Sequence, residues 1–305
     1  MAGPLSLRAL LPPLEGGLED MLLPIYQGLA LLALRVAAEQ LLVPRLKRAL
    51  KVLSGGEAHG SEKRSREVIE NAFLAAFMGP MSVWGWWVLL RHNGPCTPAA
   101  PKGCLVGWPA HPMSMEFRWW WLTLGGMYTA EMLGTAAGGL GFMLSREMVA
   151  HHAVTIVMML YGYYGGLHRY GLMATVALDT SNVFLHAAKA AHAAGLPQLA
   201  GLKDGLFKAF ALVFLVVRVI LPPFAMIAPG LWYGTVMPTK TYLITNALMM
   251  FIYSLQIVWF RKILKIAGGA KNVDKRVTVY TPTPGTTPVG PSPRVSLQGG
   301  ACKAE

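Results

Sequence analysis

The sequence predicts an all-α polytopic membrane protein, a bundle of about seven transmembrane helices. Three observations carry this. Apolar residues make up 54% of the chain against 14% charged, and the mean hydropathy of +0.43 lies above the range of ordinary soluble domains. The charges are concentrated between the apolar runs, as the cost of placing charge in hydrocarbon requires. The runs themselves are about 20 residues or longer, the length a helix needs to cross a bilayer. An isolated strand would leave its backbone groups unpaired in lipid, so helices are the expected form.

In chain order the runs lie near 21 to 44, 70 to 91, 118 to 144, 147 to 166, 169 to 191, 206 to 229 and 242 to 264. The first contains Arg35 and Glu39, whose i to i+4 spacing suits an intrahelical ion pair. In the second and third, Trp84, Trp86, Trp87 and Trp119 to Trp121 read as interfacial aromatic belts. Gly138, Gly139 and Gly141 read as close helix packing, since nothing around them resembles the strand and loop of a phosphate site. Three units follow: residues 1–20, an N-terminal segment on the lumenal side; 21–266, the transmembrane domain; and 267–305, a tail rich in Pro, Thr and Gly that is expected to be disordered. No internal repeat is evident, which counts against an inverted-repeat transporter.

The net charge of +12 is read as topology. Nucleic acid is not expected as a partner, because the aromatics lie in or beside the apolar runs rather than on a basic face. The loop after the first run carries Arg45, Lys47, Arg48, Lys51, Lys63, Arg64 and Arg66, and the segment after the last carries Arg261, Lys262, Lys265, Lys271, Lys275 and Arg276. Both are expected on the cytosolic side, which an odd number of spans allows. The first residues make a poor signal peptide and are expected to be retained. Cys96 and Cys104 share a loop on the opposite, lumenal side, where they are free either to pair or to remain thiols. Cys302 lies in the tail, and no metal-ligand spacing appears, so no metal is expected.

Ionisable residues inside membrane spans are functional candidates by default. His151 and His152 lie in the fourth run; Asp179, Asn182, His186 and Lys189 lie in the fifth. Steps of three and four put Asp179, Asn182 and His186 on one helix face. The short connection around Gly165 to His168 makes these two helices antiparallel neighbours, so that His152 and His186 can line one cavity opening to the cytosol. Adjacent residues on a helix point about 100° apart, so one histidine of the pair can face the cavity while the other braces it. The bland alternatives are an interhelical hydrogen bond for a histidine and snorkelling for Lys189.

The stretch HHAVTIVMMLYGYYGGLHRYGLMATVALDTSNVFLHAAK, His151 to Lys189, resembles the signature of the ceramide synthases within the TLC-domain family. Arg35 to Leu46, Gly107-Trp108-Pro109 with Phe117 to Met127, Arg218 to Pro222, and Leu255 to Trp259 fit the same pattern, so that the resemblance covers roughly 35 to 265. It implies a TLC-type bundle in the endoplasmic reticulum membrane and transfer of a fatty acyl group from acyl-CoA to the amine of a sphingoid base. It implies His151, His152 and Asp179 as catalytic residues and Arg169, Asn182, His186 and Lys189 as substrate-facing ones. Acyl-CoA is then a co-substrate, with no bound cofactor; membrane lipids surround the chain, and a homodimer is compatible with the family. Asn182 stands where the family has a second aspartate, His186 replaces a glutamate, and Leu178 replaces a histidine. Those departures resemble other TLC-domain proteins and define the alternative, a non-catalytic protein that binds or senses lipid and regulates membrane composition.

Overall fold

The computed structural model describes residues 17–53 and 61–268, and the described residues contain no β-strand. The expected disordered tail and most of the N-terminal segment lie outside the described residues. A 3-10 turn, Leu18–Met21, leads into α1 (Leu22–Leu53), followed by α2 (Glu62–His92), α3 (Met115–Ala136), α4 (Arg146–Tyr164) and α5 (His168–Ala194). Then come α6 (Ala200–Phe214), α7 (Ala228–Tyr233) and α8 (Thr239–Ala267). α6 and α7 belong to one rod, joined through π-helical stretches at Leu215–Ile220 and Pro223–Ile227.

Proline chemistry explains that wider winding. Pro223 has no N–H to offer the Val219 carbonyl one turn back, and the Tyr253 hydroxyl of α8 donates to it instead at 3.2 Å. Four rods, Glu19–Leu53, Glu62–His92, Pro197–Val236 and Thr239–Ala267, are long and apolar enough to cross a membrane. α3, α4 and α5 lie among them and carry Glu131, His152 and Ser181, part of the buried polar set of the interior. The chain is thus an all-α, multi-pass membrane protein.

The broadest interfaces join α2 to α5 and α1 to α3, and α4 lies antiparallel against α5 as its short connection requires. The N-caps are what the sequence supplies: Ser61, Ser114 and Ser145 each accept a backbone N–H in the first turn of α2, α3 and α4. Arg35 and Glu39 form the expected ion pair at 3.0 Å, and Arg66 of α2 joins Glu39 from the side.

Two expectations need correction. The tryptophans do not form belts throughout: Trp87 and Trp119 face outward, whereas Trp120 and Trp121 are buried. The Trp120 indole donates to the Met81 carbonyl at 2.8 Å, and Trp86 donates to Thr180 Oγ1 at 2.9 Å. Consecutive helical residues diverge by about 100°, so a run of three cannot share one lipid-facing surface. Gly138, Gly139 and Gly141 lie in the loop after α3 with φ of +78°, +92° and +72°, a turn only glycine adopts readily rather than a helix-packing face.

The loop between α2 and α3 caps one end of the bundle. Cys96 and Cys104 are joined in a disulfide. Asn93 Nδ2 donates to the Arg169 carbonyl at 3.1 Å, and the Trp108 indole donates to the Gly165 carbonyl at 2.9 Å, so the cap is tied to the α4–α5 turn. Burial pushes the imidazole of His111 in this loop below its ordinary value, partly opposed by the Val106 carbonyl 2.6 Å from its Nε2.

Candidate functional site

The polar face of α5 is satisfied by three other rods. Asp179 accepts a hydrogen bond from the Tyr128 hydroxyl of α3 at 2.7 Å and from Asn182 Nδ2 at 3.2 Å. Arg218, 5% exposed, projects from the first π-helical stretch and donates to the Leu178 carbonyl at 2.8 Å, Asn182 Oδ1 at 2.8 Å and Gln256 Oε1 of α8 at 2.9 Å. Its guanidinium is 3.9 Å from Asp179 Oδ1. A buried guanidinium needs a counter-ion and acceptors for its fixed fork of donors, and this cluster supplies both.

The two histidines of α4 have separate surroundings. His152 is held on both sides, with Nδ1 2.9 Å from the Met148 carbonyl and Nε2 2.9 Å from Glu131 Oε2 of α3. Its ring meets that of Tyr128 edge-on at 5.1 Å, which links the pair to the Asp179 cluster. His151 points elsewhere. Its ring packs edge-on against Trp259 of α8 at 5.2 Å, and its Nδ1 is buried with no hydrogen-bond partner.

His151, Asp179, Arg218 and Gln256 form the polar end of a partly open cavity of about 80 Å³. Trp121, Met158, Met159, Met249 and Ile252 make its apolar walls, and it runs to Leu167 and Tyr170 near the α4–α5 turn. Room for this space comes partly from glycine. A Cβ at Gly162 would stand 2.9 Å from the Trp121 ring, and one at Gly171 would stand 2.8 Å from it. An apolar pocket with a few convergent polar groups at one end is the usual form of a small-molecule or lipid site.

The expected site residues therefore divide. His151 and Asp179 line the cavity, and Asn182 braces Asp179 against Arg218. The expectation that His152 and His186 line one cavity together is not met: His152 is engaged by Glu131, and His186 Nδ1 is 3.1 Å from Asn71 Oδ1 of α2. Lys189 stands one turn further toward the α1–α2 end, within electrostatic reach of Glu70 and Glu131. Arg169 lies at the other end of α5 beside Gly94, about 30 Å from Lys189 at 1.5 Å per residue, so these two cations cannot hold one head group. Tyr128, Glu131 and Trp259 were not singled out from the sequence. Glu131 had a signal, being the sole acidic residue between 118 and 144.

Comparison with known proteins follows the same lines. The TLC-domain family model matches residues 67–265. The chain is 27% identical to ceramide synthase 4 of Homo sapiens over 206 residues, covering 64% of the chain and 47% of the relative. It is 28% identical to ceramide synthase LOH1 of Arabidopsis thaliana over 170 residues, covering 50% and 51%. With ceramide synthase hyl-1 of Caenorhabditis elegans the identity is 24% over 307 residues, covering 86% and 79%. The chain spans about half the length of the first two of these relatives.

Proposed function

The chain belongs to the TLC-domain family, and on that premise we propose that it is a ceramide synthase-like N-acyltransferase of the endoplasmic reticulum membrane, moving a fatty acyl group from acyl-CoA to the amine of a sphingoid base. The observation that carries this reading is His151, an imidazole with an uncommitted Nδ1 at the polar end of an apolar cavity that is also lined by a carboxylate, Asp179, which Tyr128 and Asn182 hold in place.

An alkylamine is mostly protonated at neutral pH and must lose that proton to attack a thioester. Imidazole suits the task. In one route His151 takes the proton of the attacking amine, the C–N bond forms as the C–S bond breaks, and the proton passes to the departing thiolate of CoA. In the other, His151 attacks the thioester carbonyl and displaces the CoA thiolate, carries the acyl group, and is released when the amine forms the C–N bond and gives up its proton, which passes to the thiolate. Asp179 is 3.9 Å from Arg218 and Arg218 is bonded to Gln256, so the charge that develops next to His151 falls on a fixed network. CoA, soluble and polyanionic, approaches from the cytosolic side, where the basic loop and the end of α8 offer positive charge. In this orientation the disulfide-closed cap is lumenal.

A second reading has its own observation. Both amide atoms of Asn182 are used, one on Asp179 and one on Arg218, and the Asp179 carboxylate accepts from both Tyr128 and Asn182. So satisfied a network also suits a lipid-binding protein that performs no transfer. Purified protein given a sphingoid base and a panel of acyl-CoAs separates the two: the enzyme releases CoA and forms an N-acyl product. A folded preparation that retains lipid but makes no product with any member of the panel would leave the lipid-sensing reading.

A further inference from the structure

On the acyltransferase reading, the reacting groups occupy one end of an apolar space, and some feature must stop the acyl chain at the other. We infer that Tyr170 is that stop and sets how long an acyl chain the cavity admits. A second, smaller space of about 20 Å³ lies next to the first, reaching to Leu105, Met237 and Asn246. Leu167, Tyr170, Thr245 and Met249 border both spaces, so these four residues form the partition between them.

Among the four, Tyr170 bridges to a different rod. It rises from the first turn of α5, and its hydroxyl donates to the Met226 carbonyl in the second π-helical stretch. Thr245 spends its hydroxyl on the Thr241 carbonyl of its own helix at 2.8 Å, while Leu167 and Met249 have no polar tether. The opposite rod is notched to receive the phenol: a Cβ at Gly230 would stand 3.2 Å from the Tyr170 oxygen and 3.0 Å from Asn246 Oδ1. Tyr170 precedes Asp179 by nine positions on α5, a distance of about 13 Å along the helix. An acyl chain with its carbonyl carbon beside His151 and Asp179 therefore has a space of that depth before its methyl end meets a tethered ring. A longer chain must displace the ring or stay out. Without the ring the two spaces become one.

The experiment reads chain length with and without catalysis. Purified protein is incubated with an equimolar series of saturated fatty acids from octanoic to tetracosanoic acid, and the retained species are weighed by native mass spectrometry; acyl-CoAs of the same lengths are then tested for turnover. In the wild type, retention rises by about fourfold per methylene and then breaks off at one length. Tyr170→Ala moves the break to longer chains. Tyr170→Phe, which keeps the ring but loses the tether to Met226, moves it in the same direction by a smaller step. An unchanged break in Tyr170→Ala overturns the inference, and if that variant does not fold, an unchanged break in Tyr170→Phe does so. Retention of no fatty acid at any length also overturns it. A shifted break without any product supports the stop while removing the acyltransferase reading, and product with no shift does the reverse.

Discussion

Glu131 Oε2 lies 2.9 Å from His152 Nε2, with the two side chains 9% and 4% exposed. Because His152 Nδ1 faces the Met148 carbonyl, both ring nitrogens point at acceptors, and a neutral imidazole has a proton for only one. Glu131→Ala leaves a buried polar ring with half its partners and is expected to destabilise the fold by about 3–5 kcal/mol. Glu131→Gln can donate to the neutral ring instead and should recover most of the loss. Thermal unfolding of the two variants in one detergent decides this; equal melting temperatures would mean that the pair does not fasten α3 to α4.

His151 and His152 should fail in different ways. His151 has no hydrogen-bond partner at Nδ1 and lines the cavity, so His151→Ala is expected to lower turnover by about two orders of magnitude or more while leaving the melting temperature close to wild type. His152→Ala should lower both, since it strips Glu131 of its partner. Turnover and melting measured on the same preparations test the division. Two variants with matching losses in both quantities would contradict it.

How much of this was legible beforehand follows from which contacts lie within one helix. The i to i+3 and i+4 spacing of Asp179, Asn182 and His186 put them on one face without any tertiary information, and the Arg35–Glu39 pair came from the same rule. Partners on other helices were not legible, because a single sequence does not say how each rod is rotated about its axis. Tyr128 and Glu131 are three apart on α3, but only their meeting with Asp179 and His152 gives them a role. The same gap misread the tryptophans, half of which face inward to donate to carbonyls and a threonine. His152 and His186 do not line one cavity for a related reason, since Asn71 meets His186 from α2, a helix that spacing along α5 does not reveal.

Asn182 occupies the bridge between Asp179 and Arg218. Asn182→Asp removes the amide N–H that reaches Asp179 and sets two carboxylates side by side with one guanidinium between them. Two such groups cannot both be charged without further compensation, so the pair is expected to take up a proton within the working pH range. If turnover depends on Asp179, its pH profile should then shift relative to wild type. A superimposable profile in a folded variant would place this position outside the reaction centre.

Glu147 and Lys262 clasp α4 to α8, with Lys262 Nζ 2.7 and 3.0 Å from the two carboxylate oxygens. Trp259, whose indole donates to the same carboxylate at 3.3 Å, lies against His151. The ion pair is exposed, so Lys262→Ala is expected to change stability by less than about 1 kcal/mol. It should nonetheless loosen the cover over His151. Modification of that histidine by diethyl pyrocarbonate, followed by peptide mass spectrometry, should be severalfold faster in the variant. An unchanged rate would show that the clasp does not control access.

We propose that the α2–α3 loop is lumenal, on two independent physical rules. Basic segments remain cytosolic, which assigns the loop after α1 and the residues after α8 to that face and the α2–α3 loop to the other. Disulfides persist in oxidising compartments, and Cys96 and Cys104 are bonded to each other with both side chains fully buried. Cys302 follows the last helix in sequence, and the same proposal assigns it to the cytosolic face. In sealed microsomes, a membrane-impermeant maleimide should therefore label Cys302 alone, and Cys96 and Cys104 should become reactive only after detergent and reductant together. Protease added outside should remove the chain after Gly268 and spare the loop. Cys96→Ser, which opens a short loop, is expected to cost on the order of 2 kcal/mol, and Cys104→Ser the same amount, because each breaks the one bond. Labelling of Cys104 in intact microsomes without reductant, or survival of the tail under external protease, would reverse the orientation and with it the cytosolic approach of CoA to His151.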